Sequence, residues 1–222
     1  MAESLEAVIF DLDGTLLDTL EDLADSMNAV LSARGYPPHP VEAYRFFVGE
    51  GVEMLVRRAL LEAEGDRDDE VARCVERMRS EYSSRWADKT RPYDGIDDLL
   101  HDLADAGIPK AVLSNKPEDF TLLTVGRLLR GHVFVSVRGQ REDTPAKPDP
   151  AGALAIAEEL GLEPAQVLYV GDTATDMQTA SRAGMYAVGV SWGFRSVQEL
   201  VDHGACMIVD RPAQLMNFFT HG

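Results

Sequence analysis

At 222 residues, with 45% hydrophobic and only 7% aromatic side chains, the chain is long enough to bury a large core and is ordinary in composition for a soluble α/β protein. Its 38 acidic against 21 basic residues give a formal net charge of −17. That balance excludes a nucleic-acid groove or an anionic membrane surface as the main partner, since both reward clustered Lys and Arg, but it leaves room for a small anionic substrate beside a few local cations.

No basic region followed by a long apolar run opens the chain, so neither a signal peptide nor a membrane span is expected. The first element is a buried strand that ends at Phe10 and runs straight into Asp11, Asp13 and Gly14, in the segment AVIFDLDGTLLDT. Open α/β sheets present their ligand-binding residues at such strand ends. Two residues apart in extended chain, Asp11 and Asp13 point the same way and repel unless a proton or a cation compensates them. Mg²⁺, which takes oxygen ligands and keeps room for substrate phosphate, is the simplest compensation. An Asp-rich turn capping a helix is the competing reading of these residues alone.

An insert of helical character follows, roughly 17–92. One apolar stripe runs through Leu16, Leu20, Leu23, Met27, Val30 and Leu31, a second through Val52, Leu55, Val56, Ala59 and Leu60, and a third through Val71, Val75, Met78, Tyr82 and Trp86. Breaks are expected at 35–40, 65–69 and 91–95. Within the insert, VGEG (48–51) precedes a helix, so the N–H groups of Gly49, Glu50 and Gly51 are candidates to face a substrate carboxylate, with Arg45 adding positive charge. A plain helix-start turn and a surface arginine explain the same residues.

Past the insert, strand and helix alternate. The expected strands are 109–113, 133–137, 167–170 and 186–190, the expected helices 96–106, 117–129, 150–160, 174–183 and 197–203, and a short strand and terminal helix are placed between 207 and 219. The strand in AVLSNK ends in Ser114 and Asn115, whose polar groups can grip a phosphoryl oxygen. Lys147 in PAKPDP is a lone cation between two prolines that restrict its backbone. LYVGDTATDM is a further strand ending in Asp172, with Asp176 four residues on; a helix cap accounts for Asp172 well and for Asp176 poorly. The two cysteines, Cys74 and Cys206, form neither a CxxC pair nor a metal set and read as buried free thiols suited to reducing cytoplasm.

As an ordered set, DLDGTLLDT, Ser114 in LSN, Lys147 in AKPDP and GDTATDM resemble the motifs of the haloacid dehalogenase-like phosphohydrolases, and within them the phosphoglycolate phosphatase-like group. The resemblance implies a doubly wound, mainly parallel Rossmann-like core (1–16 and 92–222) with a small all-helical cap (17–91) inserted after the first strand. It implies that Asp11 is the nucleophile, becoming an aspartyl phosphate, and that Asp13 protonates the leaving group and then activates water. Mg²⁺ is then held by the Asp11 side chain, the Asp13 main-chain carbonyl and Asp172, while Asp176 assists through water or orients the lysine. Ser114 and Lys147 correspond to the phosphate-binding pair, with Thr15 and Asn115 as auxiliaries near the phosphoryl group or substrate.

The segment VFVSVRGQREDTPAKPDP departs from the commoner family pattern, in which acids stand before the lysine: Gly139 and Lys147 remain, while Arg138 and Arg141 add positive charge near the rim. SWGFRS (191–196) resembles the same group, its Trp192 and Phe194 being explained as packing beside a turn at Gly193. The expected partner is a small phosphorylated metabolite, not nucleic acid or membrane, bound by a cytoplasmic monomer or homodimer. The substrate reading is 2-phosphoglycolate. Pyrophosphate or broad sugar-phosphate hydrolysis, a β-phosphoglucomutase-like reaction, and a non-catalytic metal-dependent interaction protein stay open.

Overall fold

In the computed structural model, which describes residues 4–61 and 68–219, the chain divides into two compact units, Met1–Leu17 with Pro92–Gly222, and Asp18–Arg91. In chain order the elements are β1 (Ala7–Phe10), β2 (Leu17–Asp18), α1 (Leu20–Ala33), α2 (Tyr44–Phe47), α3 (Val52–Leu61), α4 (Asp68–Arg85), β3 (Arg91–Pro92) and α5 (Ile96–Asp105). They continue as β4 (Lys110–Pro117), α6 (Glu118–Leu128), β5 (Ser136–Gln140), α7 (Ala151–Leu160), β6 (Val167–Gly171), α8 (Ala174–Ala183), β7 (Tyr186–Val190), α9 (Val197–Asp202) and β8 (Met207–Val209). A 3-10 helix, Pro212–Phe218, closes the described chain. β2 and β3 pair as a two-stranded ladder where the chain leaves the first unit and returns to it.

The first unit is a six-stranded sheet in the order β5-β4-β1-β6-β7-β8, with every pairing parallel. β1 is central, and all four of its residues are buried, because its two faces both meet apolar layers. Val8 and Phe10 join Val112, Leu168, Val170 and Val188 on one side, against Leu99, Leu103 and Leu129. Ile9 points the other way, with Ala111, Tyr169 and Ala187, against Ile156, Met177 and Ala180. Alternating residues thus serve two cores, which is why the strands read as continuous apolar runs.

Two expected strands are corrected. β5 lies at Ser136–Gln140 rather than 133–137, because the parallel register with β4 pairs Ala111 with Ser136 and Leu113 with Arg138. Val133 and Val135, the residues that suggested the earlier start, are exposed. β4 continues to Pro117 rather than stopping at 113, so Ser114, Asn115 and Lys116 are buried within an extended segment.

The second unit is helical. α1 buries Leu20, Leu23, Met27, Val30 and Leu31, α3 buries Leu55, Val56, Ala59 and Leu60, and α4 buries Val71, Cys74, Met78 and Tyr82. Cys74 takes the place in the α4 stripe expected of Val75, which is only half-buried. The expected break at 65–69 lies outside the described residues at 65–67. Buried acids in this unit are fully engaged. Asp22 accepts from the Lys89 N–H (3.0 Å), the Thr90 N–H (2.8 Å) and the Thr90 hydroxyl (2.7 Å), and Glu70 takes a two-pronged contact from Arg34 at 2.7 and 2.6 Å. Cys206, expected to be buried, is exposed beside β8. No helix among the described residues is long and apolar enough to cross a membrane.

Candidate active site

β1 delivers Asp11 at its C-terminal end, where the Asp11 N–H still donates to Val170 O on β6 at 2.9 Å. The chain then turns sharply: Leu12 O accepts from the N–H groups of Leu16 (3.1 Å) and Leu17 (3.0 Å). Gly14 makes this turn with a φ of 94°, and a side-chain carbon there would collide with the Asp172 carboxylate. Both demands leave only glycine.

Asp172 follows β6, and Asp176 lies in the first turn of α8. Asp176 is the third residue of that helix and closes a capping box with the N-cap Thr173, taking the Thr173 N–H at 3.1 Å and the Thr173 hydroxyl at 2.7 Å on Oδ2. This corrects the expectation that a cap explains Asp172 better than Asp176. Asp172 is held instead from afar, by the Thr15 hydroxyl at 3.0 Å on Oδ1 and by the Phe194 N–H at 2.7 Å on Oδ2. The segment that carries Phe194 does more than pack: Trp192 Nε1 donates to Thr15 O at 3.0 Å, and any side chain at Gly193 would run into Asp172.

Lys147 joins the two halves of the site. Its buried ammonium donates to Asp11 Oδ1 and to Asp176 Oδ1, both at 2.7 Å. Asn115 fixes the backbone that carries it, since Asn115 Nδ2 donates to Lys147 O at 3.0 Å and Lys147 N donates to Asn115 Oδ1 at 2.8 Å. The Asn115 amide therefore positions the lysine with both of its ends. Ser114, also buried, accepts the Lys116 N–H at 3.2 Å on Oγ. Lys116 Nζ reaches across to Asp13 at 3.0 and 3.2 Å. Sequence reasoning gave Lys116 no role, although it follows Ser114 by two residues in a strand and so faces the same side.

Within the α/β unit these contacts form three sets: Asp11, Asp176 and Asn115 around Lys147, Thr15 on Asp172, and Asp13 and Ser114 on Lys116. The other sequence candidates belong to the helical unit. There Arg45 pairs with Glu42 at 2.7 Å, Glu50 pairs with Arg58, and Gly49 and Gly51 adopt positive φ values of 119° and 89° ahead of α3.

One oxygen from each of Asp11, Asp172 and Asp176 lies within 4.8 Å of the others, and all three carboxylates are buried. Burial pushes Asp11 well above the usual carboxylate range; Lys147 opposes this, while Asp176 and Asp172 add to it. Asp172 is pushed up to about 7 by burial and then by Asp176, against the hydrogen bonds from Phe194 and Thr15. Burial disfavours the charge on Lys147, yet Asp11 and Asp176 outweigh it and hold the ammonium well above its ordinary value. One ammonium among three buried carboxylates leaves negative charge uncompensated, and such a cluster either retains protons or takes a cation. With only oxygen donors, it fits a hard divalent metal.

The sequence profile of the haloacid dehalogenase-like hydrolases matches residues 8–190, from β1 to the end of β7. The chain is a haloacid dehalogenase-like hydrolase. Among curated relatives of this hydrolase, the phosphoglycolate phosphatase of Pseudomonas putida is 34% identical over 205 residues, covering 91% of this chain and 75% of the relative. That of Psychrobacter arcticus is 35% identical over 200 residues, covering 88% and 87%. A crystal structure of a phosphoglycolate phosphatase candidate from Lactobacillus delbrueckii subsp. bulgaricus superposes on the hydrolase with a TM-score of 0.92 at 33% identity, over 98% of this chain and 99% of the other.

Proposed function

We propose that this hydrolase is a Mg²⁺-dependent phosphatase that cleaves a small phosphate monoester, foremost 2-phosphoglycolate, through an aspartyl phosphate on Asp11. The observation that carries the reading is the buried Asp11 carboxylate at the end of β1, held by Lys147 and grouped with Asp172 and Asp176. The names of the relatives from Pseudomonas putida and Psychrobacter arcticus support the choice of ester.

Asp11, Asp172 and Asp176 are the side chains that would hold the metal, with the main-chain carbonyl of Asp13 as a further ligand. Bound there, Mg²⁺ supplies charge neutralisation for the phosphoryl oxygens. The remaining work falls to the chain itself. A carboxylate oxygen of Asp11 attacks phosphorus, forming the Asp–O–P bond as the bond to the leaving alkoxide breaks. Lys147 and the Ser114 hydroxyl bind phosphoryl oxygens, Lys147 from a position fixed by the Asn115 amide. Asp13 gives its proton to the departing alkoxide and then takes one from the water that hydrolyses the aspartyl phosphate, so the cycle returns every group to its starting state. Lys116, in contact with Asp13, orients that carboxylate between the two proton transfers.

Phosphate release from 2-phosphoglycolate, pyrophosphate and β-glucose 1-phosphate, with Mg²⁺ and with chelator, tests the assignment through kcat/KM. The expected result is Mg²⁺-dependent turnover with phosphoglycolate ranked first. A higher rank for pyrophosphate or the sugar phosphate overturns the substrate and keeps the chemistry. No turnover of any of them by folded, Mg²⁺-loaded protein overturns the phosphatase reading.

A further inference from the structure

Three side chains of the α/β unit that take no part in the carboxylate pocket converge elsewhere on it. Asp97 and His101 are one turn apart on α5 and so share a face, and His132 comes from the segment between α6 and β5. His132 Nε2 lies 2.7 Å from Asp97 Oδ1, and His101 Nδ1 lies 3.6 Å from Asp97 Oδ2. The two imidazoles meet edge to face, with centroids 4.6 Å apart. One ligand atom from each of the three residues falls within 4.8 Å of the other two.

The orientation of these groups is fixed from outside the trio as well. His101 Nδ1 is 2.9 Å from the main-chain carbonyl of Asp97, the kind of contact that sets the ring of a metal-ligating histidine. The His132 side chain is only 3% exposed, whereas Asp97 and His101 are open at 73% and 65%, so the cluster has one anchored donor and an open approach. Tetrahedral ligands about 2 Å from an ion stand about 3.3 Å apart, so the Asp97–His132 pair need open by only about half an ångström.

We infer that Asp97, His101 and His132 form a second metal site, selective for a divalent first-row transition ion such as Zn²⁺ and distinct in chemistry from the carboxylate pocket. Two imidazole nitrogens and one carboxylate suit Zn²⁺ or Co²⁺, whereas Mg²⁺ favours oxygen donors and a full octahedron. The ion takes the place of a proton on His132 Nε2, and the neutral imidazole then carries its proton on Nδ1. It ties α5 to the segment before β5, which the Asp97–His132 pair and the edge-to-face imidazoles already bring together. Three protein ligands leave a fourth position for water or an outside donor.

Calorimetric titration of the 222-residue chain with ZnCl₂, in a background of saturating Mg²⁺, tests the site independently of the phosphatase reading. The expected result is one Zn²⁺ per chain with a Kd below about 100 µM, weakened at least about tenfold in each of His101→Gln and His132→Gln and retained in Asp172→Asn. His101 is exposed, so its replacement leaves the fold intact even should the buried His132 prove sensitive. Absence of Zn²⁺ uptake by the wild type overturns the inference and leaves an ion pair alone. So does uptake that survives both histidine substitutions or disappears in Asp172→Asn.

Discussion

Both units bury carboxylates, and they treat them in opposite ways. In the helical unit Asp22 collects main-chain and hydroxyl donors, and Glu70 meets the Arg34 guanidinium with both oxygens. In the α/β unit Asp11, Asp172 and Asp176 crowd together around one lysine. Burial is therefore common to structural and chemical acids in this chain. What separates them is compensation: the first group is complete without any addition, while the second is charged only against its neighbours' repulsion.

Substitution on each side gives the sharpest break. Asp11→Asn is expected to lower phosphate release by at least about three orders of magnitude while the circular dichroism spectrum stays that of the wild type, since the group lost is the nucleophile rather than a support. Near-wild-type turnover would remove Asp11 from that role. Asp22→Ala should do the reverse. It strands buried donors and is expected to cost about 2–3 kcal/mol in urea unfolding, with kcat of the folded protein within about twofold of wild type.

A smaller effect follows from the charge on Asp172. Its folded value of about 7 lies above the ordinary 3.8, so the metal-free folded chain keeps a proton that the unfolded chain releases. The stability this contributes is whole below about pH 4 and is lost as the pH rises to about 7, because the folded state binds more protons throughout that window. In chelator, melting temperature should fall across the window for wild type and fall less for Asp172→Asn, at about 2–4 °C per kcal/mol for a chain of this size. Saturating Mg²⁺ should flatten the wild-type curve by keeping the carboxylates ionised. Parallel pH curves for the two proteins in chelator would show that Asp172 is as well compensated as Asp22.

The α/β class and the strand ends that carry Asp11 and Asp172 are legible in the sequence because each apolar run stops there, whereas the run before Ser114 stops at Leu113 while β4 goes on to Pro117. Periodicity reports which residues face a core and where the run ends. It does not report partners brought together by the fold. Thr15 and Asp172 are 157 residues apart, and Lys116 and Asp13 are 103 apart, so neither contact leaves a local trace. The capping role of Asp176 is hidden for a different reason: a residue three positions past the cap can turn back on the helix start, and residue spacing alone counts it only as sharing a face with Asp172. The displaced β5 shows the limit at a sheet edge, where the register with β4, rather than the apolar residues Val133 and Val135, decides where pairing begins.

The chain holds only two tryptophans, and the fold has assigned one to each unit. Trp86 follows α4, and Trp192 hangs its indole N–H on Thr15 O, one hydrogen bond from Asp172. Intrinsic fluorescence thus carries two separable signals. With Trp86 replaced by phenylalanine, the emission that remains comes from a ring wired to the carboxylate pocket, so occupancy of that pocket can be followed optically without a label.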